Sequence, residues 1–219
     1  GTHSGLTMGG GGTTHHCTED IAIMRSMANM TVVVPADGCE TGKAAHAIAA
    51  WKGPVYMRLG RDWEPPVCDF DYEFRIGQAL LMREGCDISL VACGSVVHVA
   101  VQAAELLQAE GISARVVNMH TIKPIDKAAI VSAAEDTAGI VTVEEHTIFG
   151  GLGSAVCEVL AEECPARVIR VGVRDVYAGT GSPDQLREKL GLTPAEVAES
   201  AKRLLGVSKR KDTCQKAER

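Results

Sequence analysis

Aromatic residues are scarce in this chain, at 4 % of 219 residues. The core must therefore be aliphatic, built from Ala, Val, Ile, Leu and Met. An excess of basic residues is also missing: 22 Lys and Arg stand against 28 Asp and Glu, a net charge of −6. Nucleic acid and anionic membranes both require a basic footprint, so neither is expected as a partner. No apolar run approaches the roughly 20 residues of a membrane span, and no signal peptide is visible. The eight cysteines form no CxxC pair, and several sit in apolar segments. Buried free thiols in a reducing compartment explain this better than disulfides or zinc, which places the protein in the cytoplasm. No serine or cysteine stands in a nucleophile-elbow pattern.

Hydrophobic residues at 46 % and charged residues at 23 % are ordinary for a soluble globular protein. The most informative stretch is the N-terminal one. Four consecutive glycines, Gly9–Gly12, are flanked by His3 and His15 and run into an amphipathic segment. Glycine lets a backbone approach a ligand and adopt positive φ at little steric cost, and imidazole titrates nearest neutral pH. Such a loop before a helix N-terminus suits an anion or sugar phosphate; a mobile surface loop is the alternative. The chain opens on Gly1, with no strand before this loop. A ligand-presenting loop normally hangs from a rigid element, so a preceding segment or a partner chain is expected to hold what is missing.

Thr18 can cap a helix over 18–27, with Glu19 and Asp20 in its first turn. Residues 31–34 have the β-branched character of a buried strand. Asp37 and Glu40 are spaced like a capping box and open a helix through Trp51. Gly53-Pro54 ends it, and a strand follows over 55–58. Residues 59–74 hold Pro65, Pro66 and five acidic residues without apolar periodicity, which resembles a linker. Beyond it, strands at 88–93, 114–118, 140–144 and 168–172 alternate with helices at 96–110, 126–137 and 150–163. Two further helices follow, at 183–190 and 194–205. This alternation implies right-handed βαβ units and a mostly parallel sheet covered on both faces. Residues 207–219 read as a frayed polar tail.

Other motifs leave alternatives open. Arg58 ends a strand, where ligands sit in an open α/β sheet; it offers a bidentate phosphate clamp or a salt bridge. Adjacent His15 and His16 cannot easily face one metal ion, and no i, i+4 partner accompanies them. Gly150-Gly-Leu-Gly153 opens a helix but lacks the full G-x-G-x-x-G spacing, which favours close backbone packing over phosphate binding. Glu144-Glu145-His146 reads as a hydrogen-bonded network at an interface or as an acid–base cluster. His120 and Asp126 bracket a rigid loop that caps the next helix. His46 and His98 lie on helix faces, where packing or solvent explains them.

Taken together, Thr14-His15-His16, Glu19-Asp20-Ile-Ala-Ile-Met-Arg25 and Asn29-Met-Thr-Val-Val-Val-Pro-Ala-Asp37 resemble the transketolase family of thiamine diphosphate enzymes. So do Gly53-Pro-Val-Tyr-Met-Arg-Leu59, Asn118-Met-His-Thr-Ile-Lys-Pro-Ile-Asp126 and Val143-Glu-Glu-His-Thr-Ile-Phe-Gly-Gly-Leu-Gly153. The likeness extends to about Leu205 and is greatest to the short C-terminal subunit of split transketolases.

The resemblance implies an α/β fold in two parts: the second half of a doubly wound pyrimidine-binding domain over 1–61, then, after a linker at 62–76, a transketolase C-terminal domain over 77–206. It implies transfer of a two-carbon ketol unit between sugar phosphates, with thiamine diphosphate and Mg2+ held mainly by regions absent here. An N-terminal partner would then be required, the chain alone would be inactive, and homodimers are expected. By the same resemblance His15 lies near the reacting carbon and moves protons, while His3 and Arg58 contact sugar phosphate. Gly11 stands where the family usually has an acidic residue that contacts the substrate's C2 hydroxyl, and His16 where it usually has glutamine. Sister chemistries share the domain order: 1-deoxyxylulose-5-phosphate synthase and the β chain of 2-oxo-acid dehydrogenases. A non-catalytic dimerising fragment is a further alternative.

Overall fold

The computed structural model of the chain describes residues 1–61, 64–68 and 71–206. Helix α1 (Asp20–Ser26) leads to β1 (Thr31–Val33), α2 (Gly38–Ala49) and β2 (Val55–Met57). Asp37 caps α2, its Oδ1 accepting the Glu40 amide at 2.8 Å. The second arm of the expected capping box differs: the Glu40 carboxylate accepts from the Ala36 amide at 2.6 Å, one residue before the cap. The chain continues through β3 (Leu80–Arg83), β4 (Ile88–Ala92), α3 (Val97–Ala109), β5 (Ala114–Asn118), β6 (Thr121–Lys123), α4 (Lys127–Asp136), β7 (Ile140–Thr147), α5 (Leu152–Glu162), β8 (Val168–Val173), α6 (Pro183–Leu190) and α7 (Pro194–Leu205).

The larger sheet has the order β3-β5-β4-β7-β8, parallel throughout except for the antiparallel edge strand β3. Strand alternation divides its two cores. Leu90, Val116, Val141 and Val143 face α3 and α7. Val91, Val117 and Ile140 face Ile130 and Ala133 of α4 and Leu152, Val156 and Val159 of α5. Both cores are aliphatic, as the composition requires.

The smaller sheet joins the two halves of the chain. Its order is β2-β1-β6, with β1 parallel to β2 and antiparallel to β6. The stretch bracketed by His120 and Asp126, expected only as a rigid loop, thus supplies a strand to the first half of the molecule. Three residues are too few to show a period, and their pairing partner lies far away in sequence. Asp126 does cap α4, its Oδ1 accepting the Ala129 amide at 3.0 Å.

The described part of segment 62–76 is fastened down. Asp37 Oδ2 accepts the amides of Val67 and Cys68 at 2.8 and 2.9 Å, and Cys68 and Phe74 are buried. The Tyr72 hydroxyl donates to Glu40, and the Lys43 ammonium lies 4.3 Å from the Tyr72 ring centroid. The expected tail at 207–219 lies outside the described residues.

Phe74 also stacks on His120, with ring centroids 4.1 Å apart. Burial lowers the His120 pKa from 6.5 to about 4. The folded imidazole is then neutral, while the unfolded chain takes up a proton below pH 6.5. Stability is therefore lost as pH falls from 6.5 to 4, by on the order of 3 kcal/mol from this group. Glu64 and Glu144, both raised to about 7, act in the opposite sense over the same range. The test is thus a difference between two proteins. Urea unfolding of His120→Phe and its parent from pH 7 to 4 should show the variant gaining relative stability as pH falls; a constant difference contradicts a neutral buried imidazole.

Candidate functional site

Residues 1–4 run alongside 57–59. Gly1 O accepts the Leu59 amide at 2.8 Å, and the Ser4 amide donates to Leu59 O at 3.0 Å. A bridge between Gly5 and Cys17 then closes the glycine-rich segment into a loop. Inside it are two single 3-10 turns, Gly9–Gly11 and Thr13–His15.

The glycines have distinct reasons. A Cβ at Gly5, which has φ +58°, would come within 2.3 Å of Glu145 Oε2. One at Gly9 would meet the Gly181 carbonyl oxygen at 2.4 Å, and one at Gly12, at φ +71°, would meet Thr180 Oγ1 at 2.8 Å. These three permit the loop to lie on the protein itself. Gly10 faces open space, while a Cβ at Gly11 would come 2.6 Å from the His15 Cγ. An acidic side chain at position 11 is thus incompatible with this His15 orientation.

His15 is exposed, and its Nδ1 lies 3.1 Å from the hydroxyl of neighbouring Thr14. His16 is half-buried, and its Nε2 is buried without a hydrogen-bond partner. His3 adopts a left-handed backbone, φ +62°, which is uncommon for a non-glycine residue and recurs at functional sites. Its Nε2 lies 3.1 Å from Arg61 Nη1, and its Nδ1 lies 3.1 Å from Thr2 Oγ1. Arginine can only donate, so Nε2 accepts and the network assigns the proton to Nδ1. The Arg61 amide also donates to Thr7 Oγ1 at 3.2 Å, which ties this exposed arginine to the loop.

Arg58 is elsewhere. Its side chain is 2 % exposed and forms a bidentate pair with Asp20: Nε to Oδ2 at 2.8 Å and Nη2 to Oδ1 at 3.1 Å. Nη2 also donates to the carbonyls of Cys17 at 2.9 Å and Glu145 at 3.1 Å. The Tyr56 hydroxyl adds a 2.8 Å bond to Asp20. Burial acts to raise the Asp20 carboxyl, but the Arg58 charge and these hydrogen bonds hold it below its ordinary value. Nε and Nη2 of Arg58 are thus engaged on Asp20 and on two carbonyls beneath the loop, at the residue expected to clamp a phosphate. Arg61 is the arginine that meets His3. The Arg58 amide donates to Val33 O, which continues the β1–β2 ladder, and the side chain turns inward.

The Glu144-Glu145-His146 motif is wholly buried. Glu144 accepts the amides of Leu152 and Gly153, at 2.7 and 2.9 Å, and so caps α5. A Cβ at Gly151 would lie 2.0 Å from that carboxylate, so the Gly150–Gly153 motif serves close packing at a helix start. Burial still pushes Glu144 up to about 7, and it depresses His146 to about 4. His146 accepts the Ala22 amide at Nε2, 3.3 Å, and donates from Nδ1 to Thr147 O, 2.7 Å. Glu145 faces the underside of the loop. The motif is thus a hydrogen-bonded network within the chain.

Among the described residues, no group of three His, Cys, Asp or Glu could hold a metal ion, and no helix is long and apolar enough to cross a membrane. The arrangement offers one exposed imidazole on a supported loop and, at the loop's base, a His–Arg pair suited to a phosphate.

Comparisons with known proteins agree with this architecture. Residues 77–197 match the model of the transketolase C-terminal domain, and residues 1–64 match that of the transketolase pyrimidine-binding domain. The chain is 43 % identical over 201 residues to the 6-deoxy-6-sulfo-D-fructose transketolase subunit SqwH of Clostridium sp. (strain MSTE9), covering 92 % of this chain and 62 % of that protein. It is 40 % identical over 206 residues to 1-deoxy-D-xylulose-5-phosphate synthase of Heliobacterium modesticaldum, covering 91 % of this chain and 31 % of that one. A solved split-gene transketolase, described as an inactive beta4 tetramer, superposes with a TM-score of 0.88 at 44 % identity, over 95 % of this chain and 66 % of its own.

Proposed function

The chain belongs to the transketolase family, and from that premise we propose that it forms the substrate-facing part of a ketol-transferring enzyme. Its relatives are transketolase-type enzymes or subunits, and the family depends on thiamine diphosphate. The observation that carries the proposal is the loop: exposed His15 in its last turn, and His3 held 3.1 Å from Arg61 at its base.

In this reading His3 and Arg61 take the phosphate of a sugar phosphate, the guanidinium as a fixed cation and the imidazole as a hydrogen-bond partner. His15, through Nε2, hydrogen-bonds a substrate oxygen and carries a proton to or from it. When bound, thiamine diphosphate supplies the carbon nucleophile that takes up the two-carbon unit. The described residues include no metal-ligand cluster, so we assign the pyrophosphate, Mg2+ and their binding to an N-terminal partner. The chain spans 62 % of the SqwH subunit, itself named a subunit. We further infer a homodimer as the working unit, and a cytoplasmic location from the free thiols among the described residues.

The synthase relative at 40 % identity supports a second reading, in which pyruvate is the donor. Donor choice in a reconstituted pair, this chain with its pyrophosphate-binding partner, separates the two. A ketose phosphate should be consumed and pyruvate left untouched. Turnover of pyruvate alone would move the assignment to the synthase, and turnover of neither would support a non-catalytic, dimerising role.

A further inference from the structure

Helix α6 grips the glycine-rich loop at two adjacent points. The Leu6 amide donates to Glu145 Oε2 at 3.1 Å, an oxygen that also accepts Ser95 Oγ at 3.2 Å. Glu145 Oε1 accepts Arg187 Nε at 2.6 Å. One residue earlier on the same helix, Leu186 packs where a Cβ on Gly9 would approach it to 2.8 Å, and the Gly181 amide just before α6 donates to Gly9 O at 3.2 Å. Arg187 has a second carboxylate as well: Nη2 donates to Glu64 Oε1 at 3.0 Å.

Arg187 pairs with three carboxylates: exposed Asp184 on its own helix at 3.5 Å, and the shielded pair Glu145 and Glu64, each at a different edge of the substrate face. Glu145 holds the loop through Leu6, and Glu64 follows Arg61 in the segment that brings that guanidinium to His3. Glu145, Glu64 and Arg187 are at most 11 % exposed in their side chains, so the links are shielded from solvent and from screening by salt.

We propose that Arg187, which reaches the loop through Glu145, is a positioning residue that fixes the glycine-rich loop and the Arg61 segment relative to each other. The helix of the C-terminal half thereby sets the geometry of the substrate face in the N-terminal half. This deepens the ketol-transfer reading and rests on it for its kinetic consequence alone.

Hydrogen exchange on the full chain tests the positioning without cofactor or substrate. In Arg187→Met, amides of the loop between Gly5 and Cys17 should exchange about tenfold faster or more, and by a clearly larger factor than those of β4, because local opening reports local support. Arg187→Lys should restore part of the protection. In the reconstituted pair, Arg187→Met should raise KM for the ketose phosphate more than it lowers kcat. Should Arg187→Met fail to fold, Glu64→Gln, which leaves the Arg187–Glu145 pair intact, should give a smaller acceleration at Leu59–Arg61 and in the loop that Arg61 bonds through Thr7. Unchanged loop exchange in the variant that folds, or equal acceleration across loop and sheet, overturns the proposal. A parent pair that transfers no ketol unit overturns the functional reading and leaves the exchange result standing.

Discussion

Replacing His15 by alanine should lower kcat for ketol transfer by about 10²–10⁴-fold, the range for loss of a positioned proton-transfer group. The same change should leave thermal stability within about 0.5 kcal/mol of the parent. The His15 ring carries no structural duty: the residue is exposed, and its ring bonds the hydroxyl of neighbouring Thr14. Removing its ring also frees the space beside Gly11, where an added Cβ would otherwise collide with it. Steady-state kinetics of the reconstituted pair, with a thermal melt of the variant, checks both halves. Undiminished turnover removes His15 from the chemistry; a large drop in melting temperature assigns it to the fold.

Arg58→Met should have the opposite signature. The substitution leaves Asp20 buried and without its cation, and it frees the carbonyls of Cys17 and Glu145. Breaking one partner of such a buried pair costs about 3–5 kcal/mol, a large fraction of the stability of a typical domain. The midpoint of urea unfolding should fall accordingly. Arg61→Ala, by contrast, should raise KM for the sugar phosphate with little effect on stability, since Arg61 is exposed. If instead Arg58→Met kept its stability and lost phosphate affinity, the clamp would belong to Arg58 after all.

Legibility in the sequence differs from element to element. The strand at Ile88–Ala92 was legible as a short continuous apolar run, and helices α2 and α4 because Asp37 and Asp126 stand at the starts they cap. The edge strand Leu80–Arg83 and the three-residue strand Thr121–Lys123 were not, since what makes them strands is a distant partner and not their own pattern. At the candidate site, the glycine run and its histidines were visible as a loop. The reasons for the glycines were not: Gly5, Gly9 and Gly12 avoid Glu145, Gly181 and Thr180, contacts that exist only once the chain has folded. Two arginines three residues apart could not be ranked until the fold turned Arg58 inward onto Asp20.

Assaying the 219-residue chain for ketol transfer from a ketose phosphate to an aldose phosphate, alone and with its pyrophosphate-binding partner, tests the account most directly. The prediction is no turnover by the chain alone, and turnover on mixing that disappears again when His15 is alanine. Turnover by the chain alone, or turnover in the mixture that ignores position 15, would contradict it.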